Sequence, residues 1–336
     1  MLRFKRVPDR KTMLNLSRVN SKSSCFNLDI NFEAEDLYST NVATAVLNSV
    51  FSLTAILGNL TIIMAYKTTP SLHCPANTLL CCLALSDFTV GLIAQPCFVA
   101  HKIGEILRNL DIYCATRIIS ETSGFITSGV SILTLTAISI ERYLAMYLHL
   151  RYKELVTNFR VFLIVGTLWI TIGIMASLRF LFKDGREYNA VTVPILFSSL
   201  IITVVAYTGI YKHVKRHHRS IEDQESAKSS RNILRFKKST VTMAYILILF
   251  VISNAPFIGV AIAHRFEGYT YSVKTAYIYV SSCIFICSSV NPVIYCWRIA
   301  EIRRAVAKLL KIFTCRRNHA QIVANDSVFS LQSKYQ

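Results

Sequence analysis

Asp87 lies alone among apolar residues in LALSDFTVGL, and Glu141 and Arg142 stand side by side at the end of SILTLTAISIERY. An ionisable side chain at mid-bilayer depth costs roughly 2.5–3.5 kcal/mol, and less towards an interface, so each of these charges needs a reason. For Asp87 two readings stand. It is a structural hydrogen-bond acceptor facing neighbouring helices, or it is a cation or proton site. Intramembrane carboxylates are functional by default, which puts more weight on the second. Asn59, Ser131, Ser288 and Asn291 recur at similar depth in other apolar runs and supply the oxygens a cation wants. For Glu141-Arg142 the readings are a membrane boundary or a working part. An enzyme is not expected, because no nucleophile–base pair or His/Asp/Glu cluster shares a depth. The ten cysteines include no Cys-x-x-Cys pair and no zinc spacing.

The elements that must position these groups are long apolar blocks. The chain is 53% hydrophobic and only 17% charged, and its apolar residues are blocked rather than periodic. Seven blocks fall near 42–66, 76–100, 112–146, 160–182, 190–214, 234–263 and 273–297, each long enough for about 30 Å of hydrocarbon. The fold class expected is therefore all-α, a seven-helix membrane bundle over residues 42–297. Residues 1–41 form a tail before it. An amphipathic helix over 298–314 and a final tail over 315–336 follow. In the amphipathic stretch Ile302, Val306, Leu309 and Phe313 alternate with Arg303, Arg304, Lys308 and Lys311, which suits the membrane–water interface.

The net charge of +18 would suggest nucleic acid in a soluble protein. Here the cations lie between apolar blocks, as in Lys215, Arg216, Arg219, Lys228 and Arg231, so lipid headgroups and cytoplasmic loops account for them and no nucleic acid is expected. The last 18 residues before the first block carry Asp29, Glu33, Glu35 and Asp36 and no Lys or Arg, and the basic start of the tail, Arg3 to Lys11, is too distant to weigh much. The bias puts the N-terminus outside, the C-terminus inside and Glu141-Arg142 at the cytoplasmic end of the third block. Asn15-Leu16-Ser17 is a glycosylation sequon in the outer tail. Cys315, just after the amphipathic helix, reads either as a palmitoylation site or as a plain thiol. Pro292 and Pro256 each remove a helix hydrogen bond and favour a kink; Asn291 beside Pro292 either bridges the freed carbonyl or reaches Asp87.

Taken together, Gly58-Asn59, Leu83-Ala84-Leu85-Ser86-Asp87, Glu141-Arg142-Tyr143, Trp169, Asn291-Pro292-x-x-Tyr295 and Arg298-x-x-Glu301-x-Arg303-Arg304 resemble the rhodopsin-like (class A) G protein-coupled receptors, in order and over residues 42–316. The resemblance implies that Arg142 is held by Glu141 when the receptor is off and meets a heterotrimeric G protein when on. It implies that Tyr207 and Tyr295 swing inward on activation, with Tyr143, Asn291 and Pro292 part of the same switch. It implies an allosteric sodium ion held by Asp87, Ser131 and Asn291, to which Asn59 and Ser288 lie close, and otherwise no cofactor. Glu121, Gly124, Phe125, Ser128, Asn254 and Phe285 fall where the family's ligand pocket lies. Receptor kinases and arrestin are the expected partners of the tail serines Ser327, Ser330 and Ser333.

The departures from the family are equally specific. Asn254 stands where a tryptophan is usual, Ser199 where the fifth block usually has proline, and Phe236 where an acid is usual near the inner end of the sixth. Arg117 stands where the usual outer cysteine lies. Cys114 is three residues earlier, and the short second outer loop has no cysteine to pair with it, so the family's disulfide is read as missing. These losses resemble the melanocortin, lysophospholipid and cannabinoid branch. Gly124 replaces the aspartate of amine receptors and Phe285 the retinal-binding lysine of opsins, so neither ligand type is expected. Glu121 either attracts a cationic ligand or pairs with Arg117 one turn before it. The function expected is a plasma-membrane receptor for an extracellular small molecule, lipid or peptide. The rival is a multi-pass transporter or channel, for which one mid-membrane acid is too few.

Overall fold

The computed structural model describes Cys25 and residues 37–148, 151–178, 193–195, 197–206, 208–210, 212, 248 and 251–312. Asn15, Tyr207, Phe236, Cys315 and the tail serines lie outside these residues. The main helices are α1 (Tyr38–Thr68), α2 (Pro75–Ile106), α3 (Leu110–Tyr147), α4 (Asn158–Leu178), α5 (Val193–Ile210), α6 (251–267), α7 (Tyr271–Arg298) and α8 (300–312). Six of them, α1 to α5 and α7, are long and apolar enough to cross a membrane. At about 1.5 Å per residue, the 31 residues of α1 reach well past a hydrocarbon core.

The helices are inside-out by the standards of a water-soluble bundle. On α1 the buried face carries Asn41, Thr44, Asn48, Ser52 and Asn59, while Leu47, Val50, Leu53 and Leu57 are exposed. On α4 Phe159, Phe162, Leu163 and Ile170 are exposed. Such a surface is stable only against lipid, where apolar side chains face hydrocarbon and polar ones find partners within the bundle.

Helix ends follow local chemistry. Asn109 caps α3, its side chain accepting from the Ile112 amide at 3.1 Å, and Thr270 caps α7 through the Val273 amide. Pro75 opens α2, where a missing N–H costs nothing. Farther along α2, Pro96 has no N–H to give, and the turn before it widens into a π-helix over Val90–Ala94. There the Gln95 amide bonds Val90. The Gly91 carbonyl is then taken by the Ser52 hydroxyl of α1 at 2.7 Å. The approach is so close that a Cβ on Gly91 would come within 2.8 Å of the Ala55 side chain.

One core cluster joins α1, α2, α3, α4, α7 and α8 through Ile62, Leu79, Leu83, Ile138, Val161, Ile294, Tyr295 and Ile302, with Trp169 packed against it. A smaller one, Leu37, Val90, Ala94, Phe98, Ile278 and Phe285, lies towards the other end. At that end Cys25 and Cys114 form a disulfide, their Cα atoms 5.4 Å apart. The family's disulfide to the second outer loop is missing, as that loop's lack of a cysteine implies, but Cys114 does not stay a free thiol. The partner comes from the chain before α1, 89 residues away in sequence, and not from the segment between α4 and α5.

Candidate functional site

The polar centre of the bundle is built around Pro292. Its ring deprives the Ser288 carbonyl of a helix partner, and Asn59 of α1 donates to that carbonyl at 3.1 Å. Gly58 makes room, since a Cβ there would sit 3.1 Å from the Pro292 ring. The Gly58-Asn59 pair in α1 and the proline in α7 are thus two halves of one joint. Asn291, the neighbour of the proline, turns the other way and donates to Asp87 at 2.8 Å. Of its two expected routes it takes the one to the carboxylate.

Asp87 is fully enclosed, and Ser288 and Ser131 present hydroxyls to the same carboxylate. Ser131 also shares a 2.8 Å hydrogen bond with Ser86. Asn59 Oδ1 is buried and meets no donor among the described residues. A carboxylate, two hydroxyls and an unfilled amide oxygen form an all-oxygen set, the chemistry a hard cation such as sodium takes. The five residues named from the sequence for such a pocket are therefore brought together across α1, α2, α3 and α7.

At one end of α3, Arg142 Nε lies 3.2 Å from Glu141 Oε2. Neither atom makes an aligned hydrogen bond, so the pair is an electrostatic contact and not a fork of N–H···O bonds. The other carboxylate oxygen of Glu141 accepts from the Tyr152 hydroxyl, on a one-turn helix, Tyr152–Leu155. Burial and this bond to a carboxylate hold the Tyr152 phenol well above its usual range, so it stays protonated and donating. Tyr143 stacks on Tyr147 at 4.3 Å and fills the space over Gly209 of α5. Tyr295 is wholly buried, and its hydroxyl has no partner among the described residues. A buried phenol without a bond is costly.

Towards the disulfide end, the residues named for a ligand pocket separate. Gly124 backs directly onto Phe285, whose ring would be 3.0 Å from a Cβ at that position. Phe285 meets Phe98 edge-on at 5.7 Å. Phe125, Ser128 and Asn254 are half-buried along α3 and α6. Glu121 is 2.8 Å from Arg117 Nε, which is the paired alternative of the two. Arg117 also donates to the Tyr113 hydroxyl at 3.1 Å.

Beyond these lies a buried ionic cluster that sequence reasoning missed. Glu105 of α2 accepts from Lys102 at 3.2 Å and from Lys274 of α7 at 2.5 Å. His101 packs on the Tyr113 ring beside it. The signal was the i, i+3 pair Lys102 and Glu105, which continues the α2 pattern past the apolar block that ends near 100. Tyr152 was missed for a different reason: it is an ordinary loop tyrosine until the chain folds back onto Glu141.

The family described as 7 transmembrane receptor (rhodopsin family) matches residues 58–193 and 183–295. The chain belongs to that receptor family. Among similar proteins are adenosine receptor A3 from Bos taurus, 24% identical over 84% of this chain and 94% of its own length, and the same receptor from Canis lupus familiaris, 23% identical over 82% and 93%. Melanopsin from Phodopus sungorus is 25% identical over 77% of this chain and 60% of its own length. This receptor is a multi-pass membrane protein of a G protein-coupled class and not of an enzyme family. A Schiff base needs an amine, and the receptor has a phenylalanine at Phe285.

Proposed function

We propose that this receptor sits in the plasma membrane with its N-terminus outside and couples an extracellular ligand, bound towards the disulfide end, to a heterotrimeric G protein at the Arg142 end. The observation that carries the reading is the Glu141 carboxylate, held by Tyr152 on one oxygen and facing Arg142 on the other. A charge held this loosely can change partner, which a two-state switch requires. The orientation is supported by the Cys25–Cys114 disulfide, which lies at the opposite end of α3 and belongs in an oxidising compartment. The basic loops favour the same direction.

In this reading ligand binding stabilises the state in which Arg142 leaves Glu141 and Tyr295 finds a partner for its hydroxyl. Asp87, Asn291, Ser131, Ser288 and Asn59 would hold a sodium ion in the off state, and the ion would neutralise the enclosed carboxylate. The ligand is neither an amine of the usual kind nor retinal. Receptor kinases and arrestin act on the tail after activation.

The test is nucleotide exchange by a panel of purified G protein heterotrimers, with the receptor in nanodiscs. Wild-type receptor accelerates exchange on at least one heterotrimer, and Arg142→Ala lowers that acceleration at least tenfold at an unchanged melting temperature. A wild-type receptor inert towards every heterotrimer, or an Arg142→Ala variant as active as wild type, overturns the reading.

A further inference from the structure

The Lys102 ammonium is an under-used cation. Its side chain is 2% exposed, yet of its three N–H donors only one is placed among the described residues, on Glu105 at 3.2 Å. Glu105 is the one acid it meets among the described residues, and that carboxylate is shared. Its other oxygen is bound more closely by Lys274, at 2.5 Å. Among the described residues, the cations Lys274 and Arg117 also act on Lys102, and both oppose its charge. The remaining contact of the ammonium is the Phe98 ring face, 5.3 Å from the nitrogen to the centroid.

Burying an ammonium with half a counter-ion and two donors unfilled among the described residues is expensive. A methionine or leucine would fill the same space beside Phe98. What the arrangement provides is a preformed anion seat. Phe98 lies one turn below Lys102 on the same helix face and meets Phe285, so an apolar wall continues from the charge towards Gly124. We propose that the ligand of this receptor carries an anionic oxygen group, a carboxylate or a phosphate, that takes the free donors of Lys102, with its apolar body along Phe98 and Phe285. This rests on the receptor reading and names the chemistry of its ligand.

Glu105 competes with such an anion for Lys102, which makes its substitution informative. The probes are inorganic phosphate, dodecanoate and dodecyl phosphate, with dodecanol as the uncharged control. They are titrated into the purified full chain in a neutral maltoside detergent, and the apparent melting temperature is read. For wild type, at least one anion raises it saturably and dodecanol does not. Response to inorganic phosphate identifies a free anion, and response to the dodecyl compounds alone identifies an amphiphile. Lys102→Gln raises the half-saturating concentration at least tenfold, Lys102→Arg keeps it within about threefold, and Glu105→Gln lowers it. A salt-bridge staple without ligand function would lower the melting temperature in Glu105→Gln and leave no anion response to strengthen. If Lys102→Gln does not fold, Glu105→Gln still decides the matter. No saturable shift with any anion, an equal shift with dodecanol, or an unchanged or weakened response in Glu105→Gln overturns the proposal. Nucleotide exchange on the same preparation separates the two readings. A receptor that drives exchange but ignores anions loses only the ligand class, and one that binds anions but drives no exchange loses the coupling.

Discussion

Asp87 shows how little a single side chain decides by type and how much by surroundings. A carboxylate enclosed in the bundle is tolerable only with donors or a cation, and here Asn291 donates at 2.8 Å while Ser131 and Ser288 stand by. The unfilled Asn59 oxygen beside them favours a bound cation over a neutral network. Asp87→Asn removes the charge that a cation answers. In wild-type receptor the apparent melting temperature rises when sodium replaces N-methylglucamine at constant ionic strength. In Asp87→Asn that rise disappears. A sodium response of the same size in both would refute a cation at Asp87.

At the scale of the elements, α5 lacks the proline usual in its family, and the structure has an alternative attachment. Thr136 of α3 shares hydrogen bonds with Ser199 at 2.9 Å and Thr203 at 3.2 Å of α5. All three residues are buried. The hydroxyl at Ser199 thus anchors α5 against α3. Thr136→Val keeps the shape and removes the shared oxygen. Thr203 stays satisfied by the Ser199 carbonyl at 2.8 Å, while the buried Ser199 hydroxyl loses its bond to Thr136. Hydrogen bonds between membrane helices average about 0.6 kcal/mol each, so the variant should lose about 1 kcal/mol, a drop on the order of 2 °C in melting temperature. An unchanged melting temperature would mean the three hydroxyls carry no net energy.

Over the whole molecule, the Cys25–Cys114 bond ties the chain before α1 to the start of α3. A link spanning 89 residues removes much of the freedom of the unfolded chain, and such bonds contribute about 2–4 kcal/mol. Cys114→Ser should lower the melting temperature by several degrees. A mild reductant should lower that of wild type towards the same value and leave the variant unmoved. A reductant effect on Cys114→Ser equal to that on wild type would place the sensitive bond elsewhere. The bond closes the same end at which Glu105 gathers Lys102 and Lys274. Disulfide and ionic cluster together therefore define one end of the bundle, and Glu141, Arg142 and Tyr152 the other.

Local composition is enough to specify the bundle. Apolar blocks of membrane length have one stable solution, helices with every backbone group paired internally, and that follows from local composition alone. The sequence also pointed to the central joint, because Pro292 frees a carbonyl wherever it stands in a helix and a buried Asp87 needs donors, but it left Asn291 two routes; in the fold Asn59 takes the carbonyl and Asn291 the carboxylate. What only the tertiary structure decided lies at the two ends. Whether Glu121 attracts a ligand or pairs with Arg117 depends on a side-chain direction. Whether Cys114 finds a partner depends on where the chain before α1 passes. Lys102, Glu105 and Lys274 look like ordinary charges flanking apolar blocks, and Tyr152 like a loop residue, until packing removes water from around them. Their chemistry is set by burial and by neighbours far away in sequence, and neither is encoded in local pattern.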